Sequence, residues 1–164
     1  MIAAILLIFC TVAPPDGTLI FWDGGLLVRP IERHTGSTLT HVAIVLDGYV
    51  YEATWPCVQR TPYAEYIADL YAKAAKPYWR RRNFSWFHMP PPAYSYEQVA
   101  AMRAYAVSQL GRPYMLRGYL LQREVRGLHC SQYVGNTLAR AGIIRSKNFN
   151  ETPIRLYRKM KCSN

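Results

Sequence analysis

The chain lacks several features that would mark particular function classes. No apolar run approaches the roughly 20 residues that a membrane-crossing helix needs; the block from Ile2 to Phe9 is far shorter. No Cys-x-x-Cys pair is present. Cys10, Cys57, Cys130 and Cys162 lie scattered through 164 residues, which argues against a zinc site and against a dense disulfide scaffold. One bridge, Cys57 with Cys162 for example, would suit an exported protein. There is no phosphate-binding glycine loop, no internal repeat and no long linker. Acidic side chains are scarce, 10 Asp and Glu against 20 Lys and Arg, so the formal net charge is +10. That balance favours an anionic surface, such as a membrane or a cell-wall polymer. No nucleic-acid motif accompanies it, and no specific nucleic-acid partner is expected.

What is present describes one globular domain. The hydrophobic fraction is 51% and the charged fraction 18%, and a chain of this length can bury a real core. Residues 1–13 form an apolar N-terminal segment with the length of a signal-peptide core, followed by Pro14-Pro15. We expect export to the periplasm, the exterior or a membrane surface, against a cytoplasmic protein that uses this run as a buried first strand. Residues 14–164 are expected to form the single domain.

Asp16-Gly17 introduces an apolar run, Thr18 to Trp22, which reads as a buried strand ending in a turn at Asp23-Gly24-Gly25. A mixed loop follows to Ser37. His41 to Leu46 is a strand by composition, and Asp47-Gly48 is a strong hairpin signal. Tyr49 to Ala53 returns as the second strand. With a two-residue loop, Leu46 faces Tyr49, Ala43 faces Glu52 and His41 faces Thr54. Side chains alternate along strands, so His41 and Glu52 share a face as diagonal neighbours. A carboxylate beside an imidazole fixes its tautomer and supports its protonated form.

Val58-Gln59-Arg60 reads as a further short strand, and Pro62 to Ala75 as a helix with Tyr66, Ile67, Leu70 and Tyr71 on its core side. Tyr78 to Met89 reads as extended, interrupted by Arg80-Arg81-Arg82. Ser95-Tyr96-Glu97-Gln98 has capping-box spacing. The helix behind it carries a core stripe of Val99, Met102, Tyr105, Ala106 and Leu110, and Gly111 ends it. Met115 to Gly127 is a basic connection, and the tail after Gly142 shows no clear motif.

That connection delivers Cys130 to the mouth of a helix whose Val134, Leu138 and Ala141 recur at helical spacing before Gly142. Unpaired N–H groups and partial positive charge at a helix start favour a thiolate, the reactive form of cysteine. The same groups can stabilise an oxyanion. By itself such a cysteine is more often a small buried residue. Together with His41 and Glu52 it makes a coherent set: Cys130 as nucleophile, His41 as base and then acid, Glu52 holding His41.

Five short pieces, in this order, carry a resemblance: Gly17 to Phe21, Ser37 to Val45, Tyr51-Glu52-Ala53, Gly111-Arg112-Pro113-Tyr114 and His129 to Val134. The chain resembles the circularly permuted papain-like amidases, the YiiX/YaeF-like branch of the NlpC-type superfamily, distant relatives of lecithin–retinol acyltransferase. The histidine strand precedes the cysteine helix, the reverse of ordinary papain-like chains. The resemblance implies an α+β permuted papain-like fold, an antiparallel sheet packed against the Cys130 helix, with Cys130, His41 and Glu52 as the catalytic residues. Two positions depart from the family pattern. Gln132 stands where an acidic residue is frequent, and Met115 where an aspartate is.

The expected function is a thiol hydrolase acting on amide bonds of peptides, isopeptides or cell-wall peptides through a thioester, with no metal and no cofactor. A lipid acyl hydrolase or acyltransferase at a membrane surface, and a silent binding module of the same fold, are the competing readings.

Overall fold

Alternating apolar residues build a sheet from five segments: β1 Leu19–Asp23, β2 Leu39–Leu46, β3 Tyr49–Ala53, β4 Val58–Pro62 and β5 Ser85–Met89. In the computed structural model, which describes residues 12–24, 28–80, 84–116, 126–146 and 151–162, these strands pair antiparallel in the order β4-β3-β2-β1-β5. The helices are α1 Val28–Thr35, α2 Tyr63–Ala75, α3 Pro77–Arg80, α4 Tyr96–Ser108, α5 Cys130–Arg140 and α6 Pro153–Lys161.

The period-two pattern sends the strand residues to two cores. Leu19, Phe21, Val42, Ile44, Leu46 and Tyr51 pack with Met102 and Ala106 of α4, Val134 and Leu138 of α5, and Leu156 and Met160 of α6. Ile20, Ala43, Val45 and Val50 pack on the other side with Tyr66, Ile67 and Leu70 of α2 and with Phe84. The protein is therefore α+β, its antiparallel sheet covered on one side by the layer that contains the Cys130 helix.

Local signals explain most of the elements. Leu46 pairs with Tyr49 and Ile44 with Tyr51 around Asp47-Gly48, whose φ angles of 55° and 73° suit the tight hairpin turn. At α4 the Ser95 side chain accepts from the Gln98 backbone N–H, and the Gln98 side chain returns the bond. That helix stops at Ser108, just before Gly111, whose φ is 79°.

The structure corrects several sequence expectations. The stretch read as a mixed loop contains α1, and the stretch read as extended begins with α3. The tail without a motif contains α6, where Thr152 accepts from the Arg155 N–H at 3.1 Å and Pro153 starts the helix. Tyr71 is 65% exposed rather than core; one position beyond Leu70 it turns outward and meets the edge of Trp86. Leu110 lies beyond the end of α4 and is 37% exposed. Cys57 and Cys162 are free thiols, not a bridge. The apolar run at residues 2–9, Gly25, Arg81-Arg82 and the middle of the 115–127 connection lie outside the described residues.

Candidate active site

Cys130 is the first residue of α5 and is brought to the sheet by backbone anchoring. The Gly111–Tyr114 turn is clamped between two partners. Gly111 N–H donates to Val58 O at 2.9 Å, Val58 N–H to Arg112 O at 2.8 Å and Tyr114 N–H to Pro56 O at 2.9 Å. On its other side Leu128 N–H donates to Pro113 O, and Met115 N–H to Leu128 O, both at 3.0 Å. This approach needs Gly127. A Cβ there would lie 2.3 Å from Met115 Cβ and 2.6 Å from Pro113 O. Leu128 is thereby locked two residues ahead of Cys130, and Tyr133 secures the helix to α4 through its hydroxyl, which donates to Ala106 O at 3.1 Å.

The helix start is shaped for negative charge. His129 is the N-cap, and its Nδ1 accepts the Gln132 backbone N–H at 3.3 Å. Tyr133 N–H donates to His129 O at 2.9 Å. By position, the Cys130 and Ser131 N–H groups precede the first helical hydrogen bonds of α5. Cys130 is buried, 5% exposed. Burial by itself pushes its thiol up, but the His41 charge and hydrogen bonds from His129 and His41 outweigh it and bring the thiol well below its ordinary value.

His41 is placed by a bulge. Trp22 pairs with His41 but Asp23 pairs with Leu39, so Thr40 is the extra residue in β2. Thr40 Oγ1 donates to Gly24 O at 2.9 Å. The break in register sits immediately before the imidazole, and Thr40 lines the cleft of Cys130 together with Ile31, Tyr114, His129, Ser131 and Pro153.

His41 Nε2 lies 2.7 Å from Glu52 Oε2, and both side chains are buried. The structure thus brings together His41 and Glu52, as the hairpin register predicts, and places Cys130 within electrostatic reach of His41, with Ser131 Oγ 3.7 Å from Cys130 Sγ. Burial pushes the imidazole down. The Cys130 charge and hydrogen bond, then Glu52, overcome this and raise it to about 9. Burial likewise pushes Glu52 up, and the His41 hydrogen bond and charge turn the balance, so its carboxyl stays below the usual value. These directions favour a thiolate and an imidazolium, backed by a carboxylate, over the neutral set.

Four residues near the set carry no role in the sequence analysis. His129 caps the helix and hydrogen-bonds to Cys130. Gln59 Nε2 donates to Glu52 Oε1 at 3.2 Å, and the Tyr66 hydroxyl donates to Glu52 Oε2 at 3.2 Å. Tyr114 lines the cleft and is kept protonated by burial and by the charges of Cys130 and Glu52. His129 was legible as an N-cap from its position just before the helix. Tyr66 reaches the site from α2, and nothing local to it signals that.

With this geometry in view, comparison adds a fold relationship. No known family profile matches the chain, and no curated protein matches it. Among solved structures, the metalloprotein YiiX from Escherichia coli O157:H7 (DUF1105) superposes with a TM-score of 0.59 at 22% identity, over 80% of this chain and 68% of that one. The fold is YiiX-like. At that identity the likeness is one of fold alone.

YiiX is described as a metalloprotein, and the residues here can be tested against a metal. Among the described residues no three His, Cys, Asp or Glu side chains converge to hold an ion. Both Glu52 oxygens already accept from His41, Tyr66 and Gln59. The described side chains do not fit a metal centre, and the chemistry below uses none.

Proposed function

We propose that the chain is a cysteine hydrolase that cleaves amide bonds, in peptides, isopeptides or cell-wall peptides, with the permuted papain-like arrangement that its sequence resembles. The observation that supports this reading best is the placement of His41 between Cys130 at a helix mouth and Glu52 at 2.7 Å.

In this mechanism the Cys130 thiolate attacks the carbonyl carbon and pushes its π electrons onto oxygen. The free N–H groups at the start of α5 meet the resulting oxyanion. The His41 imidazolium then gives its proton to the departing nitrogen, and the C–N bond breaks to leave a thioester. A water molecule, deprotonated by the now neutral His41, attacks the thioester and releases the acid and the thiolate. Glu52 keeps Nε2 engaged throughout, so the other ring nitrogen faces the chemistry. Tyr114, a protonated hydroxyl lining the same cleft, is a further donor near the reacting carbonyl.

The test is turnover of a peptide, isopeptide and cell-wall-peptide panel by wild type, Cys130→Ala, His41→Ala and Glu52→Gln. Cleavage abolished in the first two variants and reduced in the third supports the reading. Unchanged cleavage in Cys130→Ala overturns it. A lipid acyl hydrolase is the second reading, favoured by the net charge of +10. Cys130-dependent release of fatty acid from anionic vesicles, with no peptide turnover, would select it.

A further inference from the structure

Behind the His41–Glu52 pair stand two side chains that the proposed mechanism does not use. Trp22 of β1 lies opposite His41 in the sheet register, and its ring centroid is 4.5 Å from that of the imidazole. Tyr66 of α2 is buried, 5% exposed. The two are joined: Trp22 Nε1 lies 3.2 Å from the Tyr66 hydroxyl oxygen.

The direction of these bonds follows from the chemistry of the groups. An indole N–H only donates. The Tyr66 oxygen therefore accepts from Trp22, and its own proton is left for Glu52 Oε2 at 3.2 Å. That oxygen also faces His41 Nε2 at 2.7 Å, while Gln59 donates to Oε1 at 3.2 Å. The carboxylate is held at both oxygens by donors from three different elements. The phenol remains a donor throughout, because burial and then the Glu52 charge hold it well above its ordinary value.

We propose that Trp22 and Tyr66 are positioning residues, in which the indole aims the Tyr66 hydroxyl, the hydroxyl holds Glu52 Oε2 as an ionised acceptor, and Glu52 holds His41 toward Cys130. The inference rests on the cysteine hydrolase reading and names how that site keeps its working protonation state. Packing alone would need only the two rings, which also touch Phe84 and the second core. It would give no reason for the donor sequence to end on the carboxylate oxygen that His41 uses.

The other charged or titratable groups around Glu52, among the described residues, are Glu65, Asp69 and Lys73 of α2, the neutral Tyr114 hydroxyl, and Cys130 through His41. Lys73 is tied to Asp69 at 2.7 Å and also lies over the Trp22 ring at 5.8 Å. The α2 residues line, with Trp22, Glu52 and Tyr66, a cavity of about 390 Å³ from which water can reach the network. A lost hydroxyl is thus partly replaced by water, and this bounds the effect.

The experiment is a pH titration of the Cys130 thiolate by its ultraviolet absorbance, each protein read against its own Cys130→Ala partner. The proteins are wild type, Tyr66→Phe, Trp22→Phe, the double variant and His41→Ala. Tyr66→Phe keeps the ring and removes the donor, so Glu52 is held less firmly against His41, the imidazolium it supports is lost at a lower pH, and His41 is aimed less well at the thiolate. The acid midpoint of the thiolate moves up by about one pH unit, the size expected for one charge-assisted hydrogen bond partly replaced by water. Trp22→Phe moves it the same way by less, and the double variant matches Tyr66→Phe, because the indole acts through the hydroxyl. Should Tyr66→Phe not fold, Trp22→Phe carries the same prediction. Midpoints unchanged in both single variants, with His41→Ala strongly raised, overturn the positioning role and leave the hydrolase reading standing. A wild-type midpoint in His41→Ala overturns that reading itself.

Discussion

Replacing Glu52 by glutamine separates charge from shape at the centre of the set. The glutamine carbonyl can take the place of Oε2 and still accept from His41 Nε2, now at 2.7 Å, and from the Tyr66 hydroxyl. Its amide then meets the donor of Gln59, which is accommodated when Gln59 turns its own amide over. Geometry is conserved and the negative charge is gone. A hydrogen bond to a charged partner is worth about 1 to 1.5 kcal/mol more than a neutral one, which corresponds to about one pH unit. His41 stands at about 9 in the wild type, with the Cys130 charge as its larger support and Glu52 as the smaller. In Glu52→Gln its midpoint should therefore fall by about one pH unit and not return to the unperturbed value.

The sign for stability follows from linkage. His41 is raised above its unfolded value of 6.5. Its charged form therefore stabilises the fold fully below that pH, and the contribution is lost as pH rises through about 9. In the variant this loss is complete about one pH unit earlier. The assay is the NMR titration of the His41 ring proton in wild type, Glu52→Gln and Cys130→Ala. A midpoint in Glu52→Gln equal to or above that of the wild type would refute the reasoning, because the carboxylate would then not be supporting the imidazolium.

Two further outcomes test how the site is held in the fold. Gly127→Ala puts a Cβ 2.6 Å from Pro113 O. It should cost about 1–3 kcal/mol in urea unfolding, the range for overpacking, and lower Cys130 reactivity by shifting the start of α5. Leu156→Ala empties a fully buried position where α6 meets the first core and should cost about 2–5 kcal/mol; a loss below about 0.5 kcal/mol, the level of a surface change, would mean that α6 does not close that core.

Short-range signals carried much of this structure in the sequence. Asp47-Gly48 sets the hairpin, its register puts Glu52 beside His41, and the spacing of Val134 and Leu138 marks the helix that Cys130 opens. The α+β class and the antiparallel sheet against that helix are what the family resemblance implies, and the structure has both. Elements without periodicity were not legible. α1 is eight residues with Pro30 inside it, and α3 only four. α6 did carry a signal, Thr152-Pro153 as N-cap and first helical residue, but in a basic tail where the apolar stripe is thin. The site's outer parts were hidden for a different reason. The bulge at Thr40 arises from pairing with β1, and Tyr66 meets Glu52 across 14 residues of sequence. Trp22 meets Tyr66 across 44. Contacts of that range depend on packing, which no local pattern encodes.

The central claim is that His41 activates Cys130, and its most direct test is alkylation at about pH 6, read residue by residue by mass spectrometry. The exposed Cys162 serves as an internal reference for reagent and labelling time. An unperturbed thiol at about 8.5 is well under one per cent ionised there, whereas pairing with the imidazolium raises the thiolate fraction of Cys130. Allowing for the weaker intrinsic nucleophilicity of a low-pKa thiolate, Cys130 should react on the order of tenfold faster in wild type than in His41→Ala. Equal Cys130 rates in the two proteins, with Cys162 unchanged as control, would contradict the account.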